Sequence, residues 1–243
     1  MKKLITVCLI VVIATSFVSA DLINGGFESG MAGWTKQFIT HGSDFSYINE
    51  LDPTTSYHYS GGSALWGKAT VYGNSVGWPD DEWTQAYAWS ASQNLSNVTS
   101  VQLHLTDFVS NTNPPSWGYG QEIFLIISDG TNSASVLLID NHEHPYGTSL
   151  VEAGKYTTSI GSDGRSWYDF DVSFDTTGFG AEFSGVNISN AKVGIYWEAV
   201  SWYNASQTFW AGAAVDDIKL IPEPATIALL SLGVLSLIRR KKH

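Results

Sequence analysis

Hydrophobic and polar positions alternate with a period of two along most of the chain, and helical periodicity is nearly absent between residues 21 and 221. In WYDFDVSFD, Tyr168, Phe170, Val172 and Phe174 fall on one side and Asp169, Asp171, Ser173 and Asp175 on the other, the pattern of a half-buried strand. VTSVQLHLTDF repeats it with Val101, Leu103 and Leu105 inward. QEIFLIISDGTNSASVLLID carries apolar residues on both faces and predicts a hairpin turning at Asp129-Gly130. SALWGKATVY, AKVGIYWEAVSW and FWAGAAVDDIKLI supply further strands. Many short strands joined by Gly-, Asn- and Pro-rich turns predict an all-β fold, an antiparallel β-sandwich of jelly-roll type.

Both ends depart from this pattern. Lys2 and Lys3 precede an apolar run from Leu4 to Phe17 and the small-residue stretch Val18-Ser19-Ala20, so residues 1–20 read as a secretory signal helix for Sec export and signal peptidase. Cys8 lies deep in that run behind Val7, where a lipoprotein cysteine wants a small neighbour. Its removal with the signal leaves a mature chain without cysteine, which excludes disulfides, thiolate metal sites and cysteine catalysis. At the other end Ala225 to Ile238 is uncharged and mostly Ala, Leu, Ile and Val. As a helix this stretch spans roughly 21 Å, short of the ~30 Å hydrocarbon core. Arg239, Arg240, Lys241 and Lys242 follow and favour the cytoplasmic side, the layout of a C-terminal transmembrane helix that halts export late. Pro222 and Pro224 separate this helix from the last strand. The expected parts are thus residues 1–20, the sandwich at 21–221 and the tail at 222–243.

Pro222-Glu223-Pro224, the apolar stretch and the basic end that includes Arg239 and Arg240 resemble the PEP-CTERM sorting domain. The resemblance covers about the last twenty residues, with all three parts in order. It implies an exosortase-type membrane protease of a Gram-negative bacterium as partner and cleavage near Pro222–Pro224. It further implies transient anchoring in the inner membrane, then release or transfer to the cell surface or extracellular matrix.

Charge narrows the partners. Between Asp21 and Ile221 there are 22 acids against 6 bases, a net of −16, because both basic clusters lie in the removable ends. Nucleic acid, which needs a basic footprint, is excluded as a partner. All ten Trp lie in the same stretch, among many Gly, Ser and Asn, as in a β-rich exported domain.

A second resemblance is scattered over the mature chain. DLINGGFESGMAGW looks like the first strand of jelly-roll carbohydrate-binding modules of the galactose-binding-like type. YSGGSALWG and AWSASQNLS are similar to the stretches that follow, and AAVDDIKLI to the last strand. In such modules the first-strand Glu and an Asp of the last strand commonly hold one structural Ca²⁺. The matching positions are Glu28 and either Asp216 or Asp217. Strict alternation puts Asp216 on the face of Ile218 and Leu220, where a carboxylate needs a cation or several hydrogen bonds. The alternative is that Asp216 caps a turn or binds backbone amides.

Exposed indoles are natural platforms for pyranose rings. GWPDDEW places Trp78 and Trp83 in an expected loop, NPPSWGYG places Trp117 and Tyr119 in another, and AVSWYNASQ places Trp202 in a third. Against this stands the ordinary use of Trp as core or loop anchor. No catalytic residue emerges: Asp80, Asp81 and Glu82 are neighbours on a turn, not a spaced acid pair. His142 and His144 flank Glu143 without an identifiable third metal ligand. The sequence therefore predicts an exported, non-catalytic protein that associates with polysaccharide. A polysaccharide-active hydrolase or lyase and a purely structural surface protein are the alternatives.

Overall fold

The computed structural model describes residues 22–41, 46–72, 82–107, 119–140, 150–151, 156–201 and 208–223. The expected signal helix and C-terminal sorting helix, with Pro224, Arg239 and Arg240, fall outside the described residues.

Among the described residues twelve strands form two six-stranded sheets. In chain order they are β1 (Trp34–His41), β2 (Ser46–Thr54), β3 (Ala64–Tyr72), β4 (Glu82–Ser90), β5 (Val98–Asp107) and β6 (Tyr119–Ser128). Then come β7 (Ser133–Asp140), β8 (Leu150–Val151), β9 (Tyr156–Ile160), β10 (Ser166–Ser173), β11 (Lys192–Ser201) and β12 (Thr208–Pro222). The first sheet runs β1-β4-β11-β6-β7-β8 and the second β2-β3-β12-β5-β10-β9. Every pairing is antiparallel. The chain crosses repeatedly between the sheets, so this is the antiparallel sandwich that the alternation predicts.

Inward residues of both sheets form one core, including Leu65, Leu103, Leu105, Leu125, Ile127, Phe170, Ile195 and Trp197. Trp197 of β11 reaches across to β3, where a Cβ at Gly67 would stand 2.3 Å from its indole. Burying such side chains stabilises the sandwich by roughly 1.5–3 kcal/mol each before entropy is counted.

Three local expectations need correction. In DLINGGFESGMAGW, residues 22–33 are mostly turns, and the first described strand starts only at Trp34. Asn24 and Phe27 adopt φ of 56° and 54°, outside the range of regular strand pairing, and the Asn24 side chain ties the run by donating to Gly30 O (2.8 Å) and accepting from Ser29 N (2.9 Å). Next, β12 continues through Pro222, opposite Val98, and Glu223 N still donates to Asn97 O at 2.8 Å. Finally, the alternation of AAVDDIKLI breaks at a bulge where Asp217 has φ 52°. Asp216 therefore pairs with His104 on the outer face of its sheet, while Ile218 and Leu220 turn to the core.

Candidate functional site

Asp216 is nonetheless fully buried, because residues 57–63 fold over that outer face. Tyr57 packs on Trp66 (centroids 5.7 Å), and Tyr59 stacks on His104 (3.4 Å) and meets Trp167 edge-on (6.0 Å). Trp167 has no exposed surface in consequence. The carboxylates hold this strap by its backbone. Asp216 Oδ2 accepts from Tyr59 N (2.8 Å) and Ser60 N (3.0 Å), and its Oδ1 from Asp217 N (2.7 Å). Glu28 Oε1 accepts from Gly62 N (2.8 Å) and Ser63 N (3.1 Å). Asp217 Oδ2 accepts from Ser60 Oγ (2.8 Å) and pairs with Lys219 (3.2 Å). Burial pushes the Asp216 carboxyl up to about 6, against the amides that pull it down. The candidate calcium carboxylates thus converge on one turn, Glu28 and Asp216 accepting from its backbone amides and Asp217 from the Ser60 hydroxyl. Among the described residues no three His, Cys, Asp or Glu side chains come close enough to share a metal ion.

The outer face of the first sheet is built differently. On β4 the small residues Thr84, Ala86, Ala88 and Ser90 are buried, and Trp83, Gln85, Tyr87 and Trp89 point out. Cross-strand register aligns these with their neighbours in rows. One row runs Gln37, Tyr87, Tyr196, Phe124 across β1, β4, β11 and β6. Its rings touch in sequence: Tyr87 to Tyr196 at 4.9 Å and Tyr196 to Phe124 at 4.5 Å. Trp89 stacks on Tyr87 at 5.6 Å and donates to Gln37 Oε1 at 3.1 Å. Its indole lies against the backbone of Gly194, where a Cβ would come within 2.5 Å.

The adjacent row runs Ile39, Gln85, Glu198, Glu122, Asp140. Gln85 donates to Glu198 Oε2 and accepts from the Tyr87 hydroxyl at 2.5 Å. Burial, then the charges of Glu198 and Asp140, pushes the Glu122 carboxyl up to about 7. Burial raises Glu198 as well, against the lowering hydrogen bond from Gln85. Burial and Glu198 push Tyr87 up to about 12 and raise Tyr196 further. One row further on, Trp83 stacks on His41 at 5.4 Å. The result is a half-buried aromatic platform beside a ladder of carboxylates and an amide.

Of the loop aromatics expected to bind sugar, Trp83 belongs to β4 and joins this face, and Tyr119 is the first residue of β6. Trp78, Trp117 and Trp202 lie outside the described residues, as do Asp80, Asp81, His142, Glu143 and His144. Sequence reasoning missed Tyr87, Trp89, Tyr196, Phe124, Glu122 and Glu198. The available signal was EWTQAYAWS, where large rings alternate with small residues: only the small set fits beneath Trp197, so the rings face out.

A third region, on the second sheet beyond the strap, is a groove of about 620 Å³ lined by Gln102, His104, Thr157, Asp169, Asp171 and Ser173. His104 Nδ1 lies 2.6 Å from Asp169 Oδ1, and Ser159 Oγ donates to the same oxygen at 2.7 Å. Ser, His and Asp meet here, but the serine is bound to the carboxylate and not to the imidazole. That is no activated nucleophile.

Residues 220–242 match the PEP-CTERM protein-sorting motif. The motif marks an exported, surface-directed protein, and its first residues are the end of β12. No curated protein matches the chain in sequence. Among solved structures the chain is similar to carbohydrate-binding modules of the β-sandwich super family, at 12% identity over 84% of this chain and 63% of that one, with a TM-score of 0.42. The family 11 carbohydrate-binding module from Clostridium thermocellum, solved with a β-1,3-1,4-mixed-linked tetrasaccharide, is similar at 12% identity, 85% and 98% coverage and TM-score 0.40. The mannan-recognising module TmCBM27 is similar at 11% identity, 85% and 98% coverage and TM-score 0.41.

Proposed function

We propose that this exported protein is a non-catalytic, polysaccharide-associating protein of the cell surface or extracellular matrix, and that it binds glycan on the outer face of its first sheet. The observation that carries the reading is the aromatic row Tyr87–Tyr196–Phe124 with Trp89 stacked beside it. A half-buried row of rings on an outer sheet face suits the apolar faces of pyranoses, and the Gln85–Glu198–Glu122 row offers acceptors for the hydroxyls. Affinity electrophoresis of the exported protein through gels containing neutral, cationic and anionic polysaccharides tests it. Retardation by at least one polymer, lost in Trp89→Ala, is the expected result. Unretarded migration in all of them overturns the reading.

The sorting half of the proposal is that a Sec-exported precursor, freed of residues 1–20, is held at the inner membrane of a Gram-negative cell by its tail. An exosortase-type protease then cuts near Pro222–Pro224. Mass spectrometry of the exported form is expected to end near Pro222; an intact tail would make it a tethered membrane protein instead.

A structural Ca²⁺ held by Glu28 and either Asp216 or Asp217, with backbone carbonyls completing its shell, belongs to the same proposal. The hard oxygen donors gathered at one turn suit that ion, and its charge would lower the raised Asp216 carboxyl. A melting temperature that rises with calcium and falls with a chelator is expected; no change in either overturns it.

One observation favours a second reading. Glu122 and Glu198 face each other across β6 and β11, and the Glu122 carboxyl is raised to about 7, as a general acid requires. Release of reducing ends from a bound polymer, lost in Glu122→Gln, would make the protein a glycoside hydrolase.

A further inference from the structure

The sorting motif and the fold overlap. Residues 220–242 match the motif, and Leu220, Ile221 and Pro222 are also the last residues of β12. Leu220 belongs to the core. Ile221 stands opposite Ser100, and its carbonyl accepts from Thr99 Oγ1 at 3.0 Å. Pro222 stands opposite Val98, and Glu223 N donates to Asn97 O at 2.8 Å. The turn that offers Asn97 O is itself anchored. Leu95 is buried, its N donates to Ile188 O at 2.8 Å and its carbonyl accepts from Val98 N at 3.0 Å. Asn94 Oδ1 closes the same turn by accepting from Ser96 N at 2.9 Å.

The chemistry of Pro-Glu-Pro suits this position. The ties to β5 and its turn use Ile221 O and Glu223 N, so the missing N–H of Pro222 between them costs neither bond. A proline also biases the residue before it toward extended backbone, which applies to Ile221 and Glu223 alike. Pro222 and Glu223 are nonetheless exposed. Their surface is open while the backbone on either side of the Pro222–Glu223 bond is held.

We infer that the pairing of β12 sets the upstream limit of the sorting cut: the bond broken is Glu223–Pro224 or one beyond it, and Pro222 and Glu223 stay on the mature domain. This rests on the proposed processing of the tail by a membrane protease and fixes where that processing acts. A protease that takes its substrate as an extended strand needs backbone groups that are not already paired. Cleavage inside a folded sheet has to wait for local opening. Cutting at Ile221–Pro222 or Pro222–Glu223 would release the ties to Thr99 and Asn97 and draw Leu220 and Ile218 from the core of a central strand. The last described tie is at Glu223, which sets the limit. In the hydrolysis, water oxygen bonds to the carbonyl carbon of Glu223 or a later residue and the C–N bond breaks. The departing nitrogen takes a proton and leaves with the tail.

The test has two arms. Mass spectrometry of the C-terminal peptide of the protein exported by its own host is expected to show ends at Glu223 or later. The second arm uses the full-length protein in detergent and a proline-specific endoprotease that acts on whole proteins, reading the cut after Pro222. A variant with Gly-Ser-Gly-Ser inserted between Ile221 and Pro222 carries the same bond off the sheet. The cut should be about tenfold slower in the wild type than in this variant.

A host-processed end at Pro222 or upstream would overturn the inference and leave the sorting reading standing. Equal rates in the wild type and the spacer variant would overturn it too, because the sheet would then shield nothing. A host protein intact to His243 would remove the sorting reading and the inference with it.

Discussion

The two outer faces of the sandwich begin from the same material and end differently. Each sheet turns aromatic side chains away from the core: Trp66 and Trp167 on the second, Trp83, Tyr87, Trp89, Tyr196 and Phe124 on the first. On the second sheet the chain supplies its own cover, with Tyr57 and Tyr59 lying over Trp66, Trp167 and His104. On the first, the ring contacts described run between side chains of that same face. The charges follow the same division. Acids of the second sheet are satisfied by backbone amides, lysines or His104, whereas those of the first raise one another. The lesson is that outward aromatics alone do not mark a binding surface. Among the described residues, what separates the two faces is that residues 57–63 lie over the aromatics of the second sheet, whereas the ring contacts of the first run along the face itself.

The comparison can be broken hardest at the strap. Asp216→Ala removes a buried acceptor of three amides and leaves those donors without partners, a cost of about 3–5 kcal/mol. Urea unfolding should record that loss. At low temperature the folded variant should keep its glycan affinity, because the damage lies on the second sheet.

Trp89→Ala attacks the other face. It should reduce glycan affinity tenfold or more, about 1.4 kcal/mol, while His104→Ala across the sandwich leaves it unchanged. Equal losses from the two, read by affinity electrophoresis, would erase the distinction between the faces.

Glu122→Gln sharpens it through pH. An acid whose carboxyl is raised from 4.5 to about 7 on folding binds more protons in the folded state across that window. Its contribution to stability is therefore intact below about 4.5 and declines as the pH rises to 7. The variant should exceed the wild type by about 1 kcal/mol above pH 7, after allowance for solvent reaching the carboxylate, and converge with it below 4.5. Asp216, raised from 3.8 to about 6, adds a decline of the same sign in both proteins. Thermal melts at pH 4, 6 and 8 would read the difference.

The smallest effect is expected at Lys36, whose ion pair with Asp52 links the sheet edges at β1 and β2 but sits largely in solvent. Lys36→Ala should change stability by no more than about 0.5 kcal/mol and glycan binding not at all.

The sequence made the sheets legible because alternation is a local property. Leu103 and Leu105, or Phe170 and Val172, announce their strands without help from distant residues. The hairpin at Asp129-Gly130 is equally local, closed by Asp129 Oδ1 accepting from Thr131 and Asn132 N at 2.7 Å each. The face of Asp216 was not legible, since the bulge that reverses it depends on pairing with β5 and on Ile218 N donating to Gly25 O. Nor was the platform, because its members come from strands separated by long stretches of chain and meet only through register. The inversion in EWTQAYAWS was visible, but reading it needed to know that Trp197 fills the space above the small residues.

The order of the second sheet sets a schedule for the exported chain. β12 is central there, held between β3 and β5, and it is the last strand before the sorting motif. Until it arrives, β2 and β3 form one ribbon and β5, β10 and β9 another, with no strand to join them. The strap, too, waits for Asp216. Under the proposed export, closure of the domain therefore comes only once β12 has emerged, as the tail follows. Under the proposed processing, completion of the fold and presentation of Pro222 to a protease become a single event, and a chain cut short of β12 would lack both the central strand of its second sheet and the sorting motif.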